Sequence, residues 1–396
     1  MLRNLAIFIA LSLISPVLLA AKQGGTVTGP VITTSLLNNF NPFTQLPNSN
    51  PARGFMYEPL LFHNTRTDST EYRLANAYEY TDDLTSVTFT LREGLKWSDG
   101  KAATASDLVF SHKLAMKNLK LDVFGLWQGE NPKLADVVQL DERRVRFDLH
   151  APDSSLYLQI AAHYMVPEHV WSTIDDPVTF ANHEPVGSGP LTVVKNFKPQ
   201  QMIICRNPHY WETGKPHIDC LKLRQYQGND QVQAALLRDE IDWGSNFIAD
   251  IEKTYVKRDP DHNHFWYPAG PSVNIYLNTT RAPFDNLLFR QAFSMSLNRA
   301  EIVDFATYGY ASINPHVTGI GDYFQKWYND DINARYDYLS EHNPDAAAQL
   351  LDKAGYVDTN GDGFANFPME ANSSSTSWLS MAGATGFNPY KWSSTF

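Results

Sequence analysis

The residues of this 396-residue chain best placed to do chemistry are rings set beside amides and carboxylates. Its 22 Phe, 19 Tyr and 9 Trp recur next to Asn, Asp or Gln. That is the pairing a sugar needs, with C–H faces laid on flat rings and hydroxyls bonded to amides and carboxylates. Phe40, Tyr57, Trp243, Phe247, Trp266 and Tyr267 are the candidate walls. Asn39, Asn41, Asn229, Asp230, Asn246 and Asn274 are the candidate polar partners. Each taken alone reads better as core or surface. Their recurrence at expected strand–helix junctions is what points to a ligand site.

Other constellations fall short of chemistry. Gly187-Ser188-Gly189 lacks the upstream glycine of a nucleophile elbow and reads as a turn. Twelve histidines are scattered, and His262-x-His264 has no third ligand at zinc spacing. Asp358-Thr359-Asn360-Gly361-Asp362-Gly363 imitates the start of a calcium loop, but Met369 stands where a bidentate Glu is expected. A glycine-rich turn is the better reading. No glycine loop suits a phosphate, and no spacing singles out a carboxylate pair for glycoside hydrolysis. Catalytic residues, metals and cofactors are therefore all expected to be none.

The ends and the cysteines set the compartment. Arg3, the apolar run Leu5–Leu19 and Ala20-Ala21 have the layout of a secretory signal peptide over residues 1–21, cleaved on export. An uncleaved anchor is the alternative. Cys205 and Cys220 are the only cysteines, and in an oxidising compartment a disulfide is their default, with two buried thiols as the alternative. A closed loop of that size contributes about 3 kcal/mol in the loop-entropy account. The net charge of −11 becomes one unit more negative without Arg3. An acidic surface without basic runs argues against nucleic acid and suits a soluble monomer.

The elements that must position these residues follow from local pattern. Val87–Leu91 reads as a strand, and Val137–Leu140 with Val145–Leu149 as a hairpin. Thr104 with Asp107 starts a helix. Helical faces recur over Asp230–Arg238 and Leu288–Leu297, after Asn298, and from Pro344 to the stop at Gly355. Strands mixed with helices, without a clean β-α-β repeat, make the fold class α/β.

Several motifs also resemble a known family. Pro185-Val-Gly-Ser-Gly-Pro190 and Asn207-Pro-His-Tyr-Trp211 stand at its spacing. Gly24-Gly-Thr-Val27, Tyr57-Glu-Pro-Leu60, Leu91–Gly100 and Phe289–Val303 follow in its order. The family is the family 5 extracellular solute-binding proteins, the periplasmic ligand carriers of ABC transporters. The resemblance implies a two-lobed class II periplasmic binding protein fold with an extra inserted domain. Residues 22–57 and 188–268 would form lobe one, 58–187 the inserted domain and 269–364 the start of lobe two. It further implies capture of a ligand by lobe closure, delivery to an inner-membrane permease, and no enzyme activity.

Within the family, the cysteine pair around Asn207–Trp211, Asn229-Asp230-Gln231 and Asp242-Trp243 resemble the chitin- and cello-oligosaccharide branch. That implies a chitin-derived disaccharide as ligand. It carries Asn229 over as a sugar contact, while Trp243, Phe40, Asn41, Tyr57 and Asn274 stand as further ligand candidates. An oligopeptide or dipeptide carrier is the alternative, and a secreted glycoside hydrolase a second. The resemblance fades after Phe364. Residues 365–396 read as an atypical, frameshifted tail and lobe two as incomplete, because shifted codons for Ser380–Thr385 can spell the branch's Asn-Gly-Trp-x-Asp motif.

Overall fold

β-Branched and aromatic runs make ten strands among the described residues. They are β1 (Thr26–Ile32), β2 (Leu61–Asn64), β3 (Ser69–Tyr72), β4 (Ala75–Tyr80), β5 (Ser86–Leu91), β6 (Leu134–Gln139), β7 (Arg144–Leu149), β8 (Leu191–Lys198), β9 (Gln201–Arg206) and β10 (Cys220–Tyr226). The computed structural model describes residues 23–44, 51–64, 67–266, 273–314, 316, 319 and 321–359. The signal segment 1–21, Tyr267, the calcium-like turn from Asn360 onward and the tail 365–396 lie outside the described residues. The chain divides into two units, Met1–Phe247 and Ile248–Phe396.

All ten strands belong to the first unit. One sheet has the order β1-β10-β9-β8, with β1 parallel to β10 and the other pairs antiparallel. Its members come from two stretches far apart in sequence, residues 26–32 and 191–226. A second sheet, β4-β5-β7-β6, is antiparallel throughout and lies within 58–187. β2 and β3 form a small separate hairpin. Helices α1 (Ala105–Lys117), α2 (Tyr157–Ala162), α3 (Glu168–Trp171) and α4 (Asn229–Leu237) complete this unit. The expected start of α1 is present, with Asp107 accepting a hydrogen bond from the Thr104 N–H at 2.9 Å. One core runs under both sheets, from Met202 and Ile204 to Phe89, Phe147, Trp97 and Trp171.

Cys205 and Cys220 face each other across β9 and β10 and are joined by a disulfide.

The second unit is helical among the described residues: α5 (Ile251–Thr254), α6 (Leu287–Ser296), α7 (Arg299–Thr307), α8 (Asp330–Tyr336) and α9 (Pro344–Lys353). Its core is the α6–α9 contact, where Phe289, Ala292 and Met295 meet Ala347, Leu351 and Tyr356. Asparagine caps open the helices as the sequence indicates: Asn298 accepts from the Glu301 N–H at 3.1 Å and Asn343 from Ala346 at 3.0 Å. Gly355, at φ +85°, ends α9. The first unit ends at Phe247. Between 248 and 266 the chain holds α5 and a 3-10 turn and no strand.

Candidate ligand-binding site

The motifs that stand out in the sequence converge on one buried junction. Glu58 is almost wholly buried, and its carboxylate accepts from Arg73 Nη2 at 2.6 Å, the Tyr210 hydroxyl at 2.8 Å and Trp211 Nε1 at 2.8 Å. Burial works against the Arg73 charge, but the bond and charge of Glu58, with Tyr210 and Glu212, together outweigh it and hold the guanidinium more firmly protonated. Burial, followed by the Glu58 charge, pushes the Tyr210 phenol up. Arg92 stacks on Trp211 at 4.2 Å from the ring centroid. The glycine turn closes against the same place. A Cβ on Gly187 would stand 2.1 Å from the Met56 carbonyl oxygen, and one on Gly189 2.3 Å from that of Phe55. Only glycine permits this approach. Ser188 Oγ accepts from the Glu58 N–H, and Ser98 Oγ from that of Gly187. These motifs join the stretch 58–98 to the turn and strands from 187 to 211.

Three of the expected ligand contacts lie in this buried framework. Phe40 and Tyr57 are 0% exposed and Asn41 1%, so none offers a face to a ligand. Asn41 is consumed by its own chain: its amide donates to the Pro177 and Phe180 carbonyls and its oxygen accepts from Phe43. The Tyr57 hydroxyl accepts from Asn182 Nδ2 at 2.9 Å, and burial pushes its phenol up. An aromatic–amide pair suits a sugar, but it equally plugs a loop into a core.

The exposed candidates lie on the open side of the first unit. β1 and β10 run parallel and end together, Ile32 opposite Tyr226. α4 begins just beyond, with Gly228 extended at its N-cap. Asn229 and Asp230 are exposed on its first turn, while Gln231 Oε1 turns back to accept from the Gln227 N–H at 2.9 Å. This is the place where α/β sheets bind ligands, outside the carboxyl ends of parallel strands. Trp243 sits beside the same strand. Asp242 bonds to Thr28 twice, N–H to carbonyl at 2.9 Å and carboxylate to N–H at 2.7 Å. The Trp243 indole is 48% exposed, and Phe247 is 38% exposed. Gly29 lies three residues before Ile32, roughly 10 Å along the strand.

Asn274 is exposed in the second unit, as is Trp266. The Asn246 side-chain oxygen is enclosed and has no hydrogen-bond partner. Two contributors escaped sequence reasoning: the Asp242 clamp and Gly29 beneath the indole. Neither had a local signal, because each depends on residues 242–243 returning to β1. The arrangement can stack a ring and bond an amide or hydroxyl. Among the described residues no cluster of three or more His, Cys, Asp or Glu side chains could hold a metal. No described helix is long and apolar enough to cross a membrane.

Comparison with known proteins places this architecture. The family model for bacterial extracellular solute-binding proteins, family 5 Middle, matches residues 70–385, running past the expected limit at Phe364. The chain is 28% identical over 373 residues to a putative ABC transporter peptide-binding protein of Brucella ovis, covering 89% of this chain and 66% of that one. It is 25% identical over 296 residues to the glutathione-binding protein of Salmonella typhi, covering 72% and 53%. A periplasmic oligopeptide-binding protein of Thermotoga maritima superimposes with a TM-score of 0.77 at 26% identity, over 87% of this chain and 65% of that one. Its mannohexaose-bound structure gives 0.74, also at 26% identity, over 87% and 64%. The chain thus spans about two thirds or less of the length of these relatives. The resemblance to the chitin- and cello-oligosaccharide branch is not supported, since these neighbours are named for peptides and glutathione. The mixed α/β fold and the match over most of its length agree: this chain belongs to the bacterial extracellular solute-binding proteins, family 5.

Proposed function

We propose that this chain is the ligand-capturing component of an ABC transporter, exported to the periplasm, and that its ligand is an oligopeptide. The observation that carries the reading is the family match together with relatives named for peptide binding at 26–28% identity. The site is compatible with this ligand: a peptide brings amides for Asn229 and side-chain rings for Trp243 and Phe247. Capture proceeds by closure of two lobes, with the closed form recognised by the permease.

A second reading, an oligosaccharide ligand, rests on the mannohexaose bound by the Thermotoga relative and on the exposed indole of Trp243. A glycoside hydrolase finds no support in a family of binding proteins. Titration calorimetry against di-, tri- and pentapeptides, glutathione, mannohexaose and chitobiose tests the proposal. Saturable binding of peptides alone is the expected result. Binding of sugars alone would replace the peptide reading, and release of cleavage products would end the carrier reading.

A further inference from the structure

We propose that Gly29 and Asp242 form a platform that holds Trp243 as a ring-stacking wall, so that Gly29 selects ligands presenting a flat ring. The proposal rests on the carrier reading above and adds the chemical class that this lobe prefers. That class is a ring face, supplied either by an aromatic peptide side chain or by a pyranose.

The geometry is two-sided. On the backbone side, Asp242 continues the hydrogen bonding of β1 beyond its edge, using its own N–H and its carboxylate on the two polar groups of Thr28. That fixes where residue 243 leaves the sheet. On the side-chain side, a Cβ on Gly29 would lie 3.3 Å from Trp243 Cε3 and 3.8 Å from Cζ3. The indole edge therefore rests where any other residue would place its side chain. Gly29 has no positive φ, so the demand is for space rather than for a special backbone angle. Leu223 of β10, paired with Gly29 in the ladder, closes the floor at 4.0 Å from that same position.

The turn that follows is constrained too. A Cβ on Gly244 would meet Leu236 Cδ1 of α4 at 2.7 Å and Asn246 Oδ1 at 2.9 Å. Residues 242 to 244 are thus clamped by a strand on one side and a helix on the other. A solitary exposed tryptophan on a surface needs no explanation. This one has its edge seated, its backbone pinned and about half its surface open. A ring held in advance loses little freedom when a ligand stacks on it, which is what a binding wall requires.

The test uses the full chain with three probes: penta-alanine, the same pentapeptide with a central Phe, and mannohexaose. Gly29→Val suits a strand and fills the floor, Gly29→Ala fills it partly, and Trp243→Ala removes the wall. Wild type is expected to bind a ring-bearing probe more tightly than penta-alanine by roughly three- to tenfold. Gly29→Val and Trp243→Ala should each abolish that preference by weakening the ring-bearing probe several-fold more than penta-alanine, with Gly29→Ala intermediate. Preference for the Phe peptide identifies a peptide side chain as the ring, and preference for mannohexaose a pyranose.

A Gly29→Val protein that melts like wild type and keeps its ring preference overturns the proposal, as does a Trp243→Ala protein that weakens all probes equally. Oxidative footprinting supplies a readout without ligand. Trp243 should oxidise faster in Gly29→Val and in Gly29→Ala as the indole is lifted, and unchanged oxidation in both refutes the platform. Should wild type bind no probe, the carrier reading falls and the wall with it, while the footprint still decides the platform.

Discussion

Two imidazoles sealed in the core of the first unit should make this protein lose stability in mild acid. His112 of α1 and His163 after α2 are fully buried, with ring centroids 4.5 Å apart. Phe43 lies 5.2 Å from His163 and Phe147 4.7 Å from His112. Trp127 Nε1 donates to His112 Nδ1 at 3.3 Å, while His112 Nε2 and both His163 nitrogens complete no hydrogen bond. Burial pushes His163 down from 6.5 to about 4; the Asp122 charge and the nearby Ser111 backbone offset only part of this. Burial, followed by the proximity of His163, holds His112 well below its ordinary value too.

The folded state therefore binds fewer protons than the unfolded one below pH 6.5, and stability falls as pH falls. The stabilisation is fully present above that pH and is lost by about pH 4. At 1.36 kcal/mol per pKa unit, His163 alone accounts for about 3 kcal/mol. Urea unfolding of wild type and His163→Phe between pH 7.5 and 4 measures it. Carboxylates that titrate in both proteins cancel in the difference. The variant should gain about 3 kcal/mol on wild type between pH 7 and 4. Parallel stability curves would refute the argument.

Three further perturbations probe the framework. Glu58→Gln leaves Arg73 only the more distant Glu212 carboxylate at 3.6 Å and should cost roughly 2 kcal/mol, read from the urea midpoint; a loss below about 0.5 kcal/mol would mean the junction is not held by charge. Gly187→Ala forces a methyl onto the Met56 carbonyl and should lower stability by more than about 3 kcal/mol, seen as loss of soluble yield or of a cooperative melt; a normal melt would show that the turn can relax. Replacing both Cys205 and Cys220 by Ala should cost about 3 kcal/mol, and thiol titration of the native exported protein should find no free thiol.

What was legible in the sequence was local. The caps at Thr104, Asn298 and Asn343, the stop at Gly355 and the hairpin around Asp141–Arg144 each declare themselves within a few residues, because the physics that makes them acts over that range. The histidine pair did not, since His112 and His163 meet only when α1 packs beside the end of α2. The platform under Trp243 did not either. Nothing near Gly29 announces that a chain segment more than two hundred residues later will lie across it.

The family motifs explain why recognition outran the reading of the site. Tyr57-Glu58, Ser98, Gly187–Gly189 and Asn207–Trp211 touch one another: each satisfies a buried polar group or a close backbone approach in the others. A change in any one strands a donor, an acceptor or a charge in the core. Such residues are tightly specified, and that makes them conspicuous in sequence. Ligand contacts carry no comparable penalty, because their partners are absent most of the time and solvent stands in. Phe40, Asn41 and Tyr57 became ligand candidates because a ring beside an amide suits a sugar, and the same pairing here is buried within the framework. A carrier fold is thus more readily identified from the residues that hold it together than from those that meet its cargo.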